Sequence, residues 1–281
     1  MPADQRDAAD QLEASVLVDI SREEAWTATR DVLMISIPAE RLFLYGSDMH
    51  RLNPYGVCRE SWLNDNIIDV YFWMMGQREL KRMKAALRAG STSKRPHHMY
   101  FSFFIAALIN MDNNGGYHEY NFKNIRRWKC RKPWATDGNL FELGKLFIPI
   151  NRDYKQHYGL AVIDFEKKKL EYWDAMGHSG KFFLEHLRQY LIDEVEDTFK
   201  DSMKARAMQA DIANWPSSGG LGPRQDNDKD CGVFACQTTS FLALDLPVTY
   251  SQDNILDLRC LMTDELMRLY MDINGTSLPV S

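Results

Sequence analysis

Two β-rich runs, Tyr158 to Phe165 and Lys169 to Ala175, are separated only by Glu166-Lys167-Lys168. A charged connection that short turns the chain back on itself, so the two runs form an antiparallel hairpin. A third β-rich run, Leu146 to Ile150, precedes them. The flanking sequence is helical. Asn64 caps a helix starting near Asp65, and Ile67, Ile68, Tyr71, Phe72, Met74 and Met75 give it a wide apolar face. Its second half, Gln77 to Arg88, is basic and ends at Gly90, a C-cap position. Ser91 to Pro96 is a surface loop, Tyr100 to Met111 a buried helix, Asp112 to Gly116 a loop and Asn121 to Trp128 a short helix. Phe182 to Phe199, Cys231 to Leu244 and Ile255 to Met271 are helical, with a Gly/Pro/Asp-rich loop over Asn214 to Asp230. The expected class is α+β, a small, mostly antiparallel sheet flanked by helices around one core.

With 281 residues, 45% of them hydrophobic, the chain can bury one large domain or two small ones. Residues 1–35 carry more acids than bases and are expected to form an acidic N-terminal extension, leaving 36–281 as the main domain. A net charge of −5 argues against a nucleic-acid partner. Cys58, Cys130, Cys231, Cys236 and Cys260 are an odd number with no C-x-x-C pair. That suits neither a disulfide framework nor a zinc ribbon, and it fits a reducing compartment. The polar N-terminus is no signal or transit peptide, and the longest apolar run is too short to span a bilayer. Asn274-Gly275-Thr276 matches a glycosylation sequon, which means nothing without secretion. The expectation is an intracellular monomer of the nucleus or cytoplasm, with no cofactor and no membrane association.

Cys231 opens an apolar helix directly after the polar stretch Gln225-Asp226-Asn227-Asp228-Lys229-Asp230. A thiol at a helix start sits among backbone N–H groups the helix cannot pair, at the positive end of its dipole, and its thiolate is favoured. The alternative is a buried structural cysteine. The hairpin bears on that choice, because His157 precedes one strand and Asp174 lies near the end of the next. A turn centred between Phe165 and Glu166 sets them directly opposite, and a centre one residue later leaves them diagonal neighbours within reach. A carboxylate against an imidazole fixes its tautomer and favours the imidazolium. With Gln225 six residues before the cysteine, the set makes a Cys–His–Asp triad with an oxyanion donor.

Several blocks match one family in order: Trp62-Leu63-Asn64-Asp65 with Ile67-Ile68; Ile125-Arg126-Arg127-Trp128; Phe147-Ile148-Pro149-Ile150-Asn151 ahead of His157; Trp173-Asp174; and Gln225-x-Asn227-x-x-Asp230-Cys231-Gly232. From about Leu42 to about Asp272 the chain resembles the ubiquitin-like-protein-specific cysteine proteases that process and deconjugate SUMO, the Ulp/SENP family. The resemblance implies a papain-like (adenain/Ulp-like) catalytic domain over 36–281. It makes Cys231 the nucleophile, His157 the general base and acid, Asp174 its orienter and Gln225 an oxyanion donor. It implies cleavage after a C-terminal Gly-Gly, with SUMO or another ubiquitin-like modifier and its conjugates as partners. Trp62 and Tyr158 take the places of the aromatics that narrow a tunnel to glycines, and Asp65 that of an acid pairing with an arginine of the modifier. Arg127 and Trp128 fall in a matching block and are candidate substrate-binding residues.

Two departures stand out. Tyr158 replaces the family's usual Trp, with less area and a polar tip. Asp228 stands where glycine is common, and an acidic run beside the nucleophile works against its thiolate. The segment from Lys200 to Gly222 reads as a long insertion. A protease for the Nedd-type modifier and a catalytically silent modifier-binding protein are the alternative functions, the second predicting a lost triad member.

Other features have plainer readings. Trp62 can be a core aromatic and Asp65 a first-turn acid favoured by the helix dipole. Arg126, Arg127 and Lys129 can form a solvated helix face rather than a basic patch. His97-His98 lacks companion ligands and is expected at the surface, Cys236 in the core. Gly177-His178-Ser179-Gly180 mimics a serine-nucleophile elbow but precedes a helix, so Ser179 is expected as its N-cap. No metal-ligating cluster is apparent.

Overall fold

The computed structural model describes residues 14–56, 61–90, 95–110, 119–128, 139–152, 157–200, 202–274 and 278. Cys58, Cys130, Lys129, the expected loop from Asp112 to Gly116 and most of the sequon lie outside them. The chain opens with strand β1 (Ser15–Val16), helix α1 (Arg22–Thr27), strands β2 (Leu33–Ile37) and β3 (Leu42–Tyr45) and the one-turn α2 (Gly46–Met49). Helix α3 (Asp65–Arg88), strand β4 (His97–Met99) and helices α4 (Phe103–Leu108) and α5 (Phe122–Ile125) follow. Then come β5 (Lys145–Arg152), β6 (His157–Asp164), β7 (Lys169–Trp173), α6 (Lys181–Phe199) and α7 (Met203–Ala213). Strand β8 (Ser217–Leu221) and helices α8 (Cys231–Ala243) and α9 (Ile255–Arg268) complete the order.

The central sheet runs β4-β5-β6-β7-β8. Antiparallel β5, β6 and β7 form its middle, and β4 and β8 pair in parallel at the two edges. Within the hairpin, Asp164 pairs with Lys169 and Leu160 with Trp173, so the turn is centred one residue past the directly opposed arrangement. Both faces of the sheet are buried. Tyr158, Leu160 and Val162 of β6 join the cluster shared with α3, α8 and α9, while Ala161 and Ile163 join the one shared with α4 and α6. Side chains alternate across a strand, so a strand with helices on both faces reads as an unbroken apolar run. At the head of α3, Asn64 Oδ1 accepts the Ile67 N–H at 3.3 Å, and Gly90 follows its end at φ +73°.

Residues 14–35, in the region expected as an extension, contribute β1, α1 and part of β2. Ala25 and Trp26 are buried, and Trp26 Nε1 donates to Thr263 Oγ1 of α9 at 3.0 Å. Arg22 Nε donates to Asp264 Oδ1 of the same helix at 2.9 Å.

Four local expectations need correction. The buried helix predicted over Tyr100 to Met111 is shorter, Phe103–Leu108, and the Tyr100 N–H continues the sheet by donating to Phe147 O at 2.9 Å. His97 and His98 are not a surface pair but strand residues at 2% and 4% exposure, with His97 Nδ1 accepting the Lys145 N–H at 3.1 Å. The loop predicted over Asn214 to Asp230 contains β8, whose Ser-Ser-Gly-Gly sequence has no strand propensity and is extended by its pairing with β7. The N-cap before α6 is Gly180 at φ +59°, not Ser179, because a Cβ there would meet the Tyr172 ring at 2.1 Å.

Candidate active site

The hairpin register decides the first contact. Asp174 lies one residue past β7, diagonal to His157 at the start of β6, and His157 Nε2 is 2.8 Å from Asp174 Oδ2. The carboxylate is held in a tight turn, where its Oδ1 accepts the Met176 N–H at 2.8 Å and the His178 N–H at 3.3 Å. The Asp174 backbone is fixed as well, its N–H bonding Leu221 O at 3.0 Å and its carbonyl accepting from Arg224 Nη1 at 2.7 Å. Burial alone would raise the Asp174 carboxyl, but hydrogen bonding and charge from His157 outweigh it and hold it below the usual carboxylate range.

Cys231 is the first residue of α8 and is 3% exposed. Its thiol is hydrogen-bonded to His157, which therefore connects the sulfur to the carboxylate. Burial lowers the proton affinity of His157, yet the hydrogen bonds from Asp174 and Cys231 push its pKa up to about 9. An imidazolium beside the sulfur is the state that supports a thiolate. At the first helical position the Cys231 N–H is a donor the helix cannot pair. Gln225 is anchored by its own N–H to Ala175 O at 3.1 Å, and its Nε2 donates one hydrogen to the Asn227 carbonyl.

The last acid of the run before Cys231, Asp230, is paired with a residue sequence reasoning missed. Arg259 of α9, 1% exposed, donates through Nε and Nη2 to Asp230 Oδ1 at 3.0 and 2.6 Å. Burial would raise the Asp230 carboxyl, but the Arg259 charge and the hydrogen bonds from Asn227 and Gln252 lower it. The same guanidinium reaches the Ser61 carbonyl at 2.9 Å and the Arg51 carbonyl at 2.7 Å, which ties the Trp62 segment to the head of α8. Nothing near Arg259 in sequence marks it, since all its partners are far along the chain.

Trp62 is half-buried, and its carbonyl accepts from Arg51 Nη1 at 2.9 Å. The next residue, Leu63, packs so closely on Gly232 that a Cβ at Gly232 would lie 2.9 Å from Leu63 Cβ. That explains the glycine after the cysteine. The Tyr158 ring is 3% exposed and its hydroxyl donates to Asp65 Oδ1, with Asn151 Nδ2 also bonding Asp65 Oδ1 at 3.1 Å. Burial, then the Asp65 charge, raise the Tyr158 phenol well above its usual range, so it stays a neutral donor. Asp65 itself is exposed. Trp62, Asp65 and Tyr158 thus share the neighbourhood of His157 and Cys231. Arg127 and Trp128 do not: Arg127 is exposed, and Trp128 packs on Phe103 and Phe104 with the cluster on the other face of the sheet. Cys236, fully buried, is a core thiol kept protonated by burial.

His178 also belongs to this neighbourhood. Its Nδ1 lies 3.2 Å from Asp174 Oδ1, and its ring meets that of His157 edge-on at 5.1 Å. One donor atom from each of His157, Asp174 and His178 falls within 4.8 Å of the others. The Gly-x-Ser-Gly look-alike drew attention to Ser179, and only the turn after β7 reveals its histidine neighbour.

Residues 61–271 match the family model described as the Ulp1 protease family, C-terminal catalytic domain. Human Sentrin-specific protease 2 is 31% identical over 73% of the chain, and Arabidopsis thaliana Ubiquitin-like-specific protease 1A is 25% identical over 92%. The chain spans 30% of the first relative's length and 47% of the second's. Among solved structures, the C-terminal Ulp1 protease domain in complex with Smt3, the yeast orthologue of SUMO, superposes with a TM-score of 0.63 at 21% identity, covering 90% of this chain and 98% of that one. A Chaetomium thermophilum Ulp1-like SUMO protease catalytic domain gives 0.62 at 20% identity, covering 99% and 95%. The fold is therefore the Ulp1-like α+β fold.

Proposed function

The chain belongs to the Ulp1 protease family, and from that we propose that it is a thiol-dependent peptidase and isopeptidase acting after the C-terminal Gly-Gly of a ubiquitin-like modifier, SUMO in particular. The relatives' names and the Smt3 complex support the modifier, while the hydrogen-bonded series Cys231–His157–Asp174 carries the chemistry. The Cys231 thiolate attacks the carbonyl carbon after the second glycine. The C–O π pair moves onto oxygen, where the Cys231 N–H and the Gln225 amide stabilise it. The C–N bond then breaks as the His157 imidazolium gives its proton to the leaving amine, a peptide nitrogen or a lysine ε-nitrogen, leaving a thioester. Water attacks the thioester with neutral His157 taking its proton, and the thiolate is released. Asp174 keeps the imidazole turned toward the sulfur and stabilises its charged form.

Trp62 and Tyr158 narrow the approach so that only a backbone without Cβ atoms passes, which is the physical basis for a diglycine. Asp65 offers a carboxylate for a cationic side chain of the modifier, while Arg127 and Trp128, the latter packed on Phe103 and Phe104, lie away from that approach. The protein acts inside the cell, in the nucleus or cytoplasm. Among the described residues no helix is long and apolar enough to cross a membrane.

The decisive test reacts the chain with electrophile-tipped SUMO, Nedd-type modifier and ubiquitin, alongside Cys231→Ala. An adduct with SUMO that disappears in Cys231→Ala is expected. Adduct formation with the Nedd-type modifier alone would reassign the substrate, and an adduct surviving Cys231→Ala would overturn the mechanism.

A further inference from the structure

We propose that His157, Asp174 and His178 together bind a divalent transition cation of the Zn2+ type, and that its binding switches the catalytic centre off. The regulatory half rests on His157 being the catalytic base; the binding half does not. Two imidazole nitrogens and one carboxylate are a donor set that borderline cations favour. A tetrahedral shell with bonds of about 2 Å spaces neighbouring donors by about 3.3 Å. The nitrogen–oxygen separations are 2.8 Å for His157 and 3.2 Å for His178, so the donors already converge. The two nitrogens face different oxygens of one carboxylate, and a cation seated between them needs small side-chain shifts rather than a new backbone path.

The carboxylate ligand is also oriented from behind. The Met176 and His178 N–H groups fix the Asp174 carboxylate. Arg224, whose guanidinium lies beside Gly177 of this turn, donates to the Asp174 and Gly220 carbonyls. The site is reachable, since the His178 side chain is 38% exposed. His178 also lines a cavity of about 210 Å³ with Arg152 and Lys181.

Binding displaces the protons on His157 Nε2 and His178 Nδ1, each passing to solvent from a doubly protonated ring or to the ring's other nitrogen from a singly protonated one, so that each ring keeps one N–H and gives its freed lone pair to the cation. No electron transfer is involved. With the cation on Nε2, His157 can no longer become an imidazolium. Its Nδ1 proton would have to be given up by a metal-bound neutral ring, a far weaker acid, so transfer to the leaving amine fails. His178 is what separates this site from the thiol–imidazole pair that any such protease offers a metal.

The experiment titrates Zn2+ into the metal-free full chain by calorimetry and records Co2+ absorption, using the parent, Cys231→Ala, His178→Ala and His178→Gln. Cys231→Ala is expected to bind Zn2+ with parental affinity, and the Co2+ spectrum to lack a thiolate charge-transfer band. Losing even an outer partner of a metal ligand costs about 10- to 100-fold in affinity, so both His178 variants are expected to bind at least about tenfold more weakly. Inhibition of modifier cleavage by Zn2+, normalised to each variant's own metal-free rate, is expected to weaken in parallel. Binding lost in Cys231→Ala but kept in the His178 variants overturns the proposal, as does the absence of parental binding. Circular dichroism verifies that the variants are folded. Because the calorimetry needs no substrate, its failure is distinguishable from failure of the protease assignment.

Discussion

The Tyr158 hydroxyl ends on the Asp65 carboxylate, so the phenol that replaces the family's indole has a charged partner waiting for it. A hydrogen bond to a charged group contributes about 1.5–3 kcal/mol, and Tyr158→Phe is expected to lower unfolding free energy by about that much in a denaturant titration. An unchanged midpoint would mean that water serves Asp65 equally well. On the other side of His157, Asp174→Asn keeps the shape but replaces a carboxylate that accepts the His157 ring N–H with a neutral amide that can donate, which favours the wrong tautomer and removes the charge that stabilises the imidazolium. Turnover is expected to fall about 10⁴-fold with the circular dichroism spectrum intact. His157 is raised to about 9, and in the proposed mechanism its charged form is the acid that protonates the leaving amine. The rate therefore declines as pH rises through about 9, and a kcat/KM profile still climbing well beyond that point would sink the role. These residues were visible in sequence because each carries its chemistry in its type. His178 was not, since a histidine gains meaning here only from the turn that folds it back on Asp174.

The start of α8 is the element on which most of the site depends. Arg259 satisfies Asp230 at its N-cap and holds the Ser61 carbonyl, so one buried side chain aligns the nucleophile with the Trp62 segment. Removing one partner of a buried ion pair costs about 3–5 kcal/mol. Arg259→Ala is expected to show that loss in chemical denaturation, together with poorer labelling by a modifier probe. A shift below about 1 kcal/mol would place Asp230 in water instead. The middle strands and the caps of α3 were legible because short apolar β-rich runs, tight turns and Asn caps act over a few residues. The edge strands β4 and β8 were not. Three residues of His-His-Met and a Ser-Ser-Gly-Gly run have no local reason to extend, and the exposed edges of β5 and β7 supply it.

Across the molecule, two buried acids tie stability to pH. Asp69 accepts the Ser102 N–H at 2.7 Å and Glu265 accepts from the Tyr71 hydroxyl, yet burial raises both to about 7. Unfolded, they ionise near their ordinary values, so between about pH 4 and 7 the unfolded chain sheds protons that the folded one keeps. Their stabilising contribution is fully present below that window and declines as pH rises through it, by roughly a few kcal/mol for the pair. Asp69→Asn and Glu265→Gln are expected to flatten the slope of unfolding free energy against pH, and an unaltered slope in the double variant would refute the assignment. By itself the sequence determined the hairpin, the helix that begins at Cys231, the α+β class and His157, Asp174 and Gln225 as candidates, because those follow from short-range pattern and side-chain chemistry. Only the tertiary structure decided that Arg259 pairs with Asp230 beside Cys231, that Tyr158 bonds Asp65 and that His178 shares the carboxylate of Asp174. Those contacts join residues whose pairing depends on which surfaces meet when both faces of the sheet are covered, and no short-range pattern encodes that meeting.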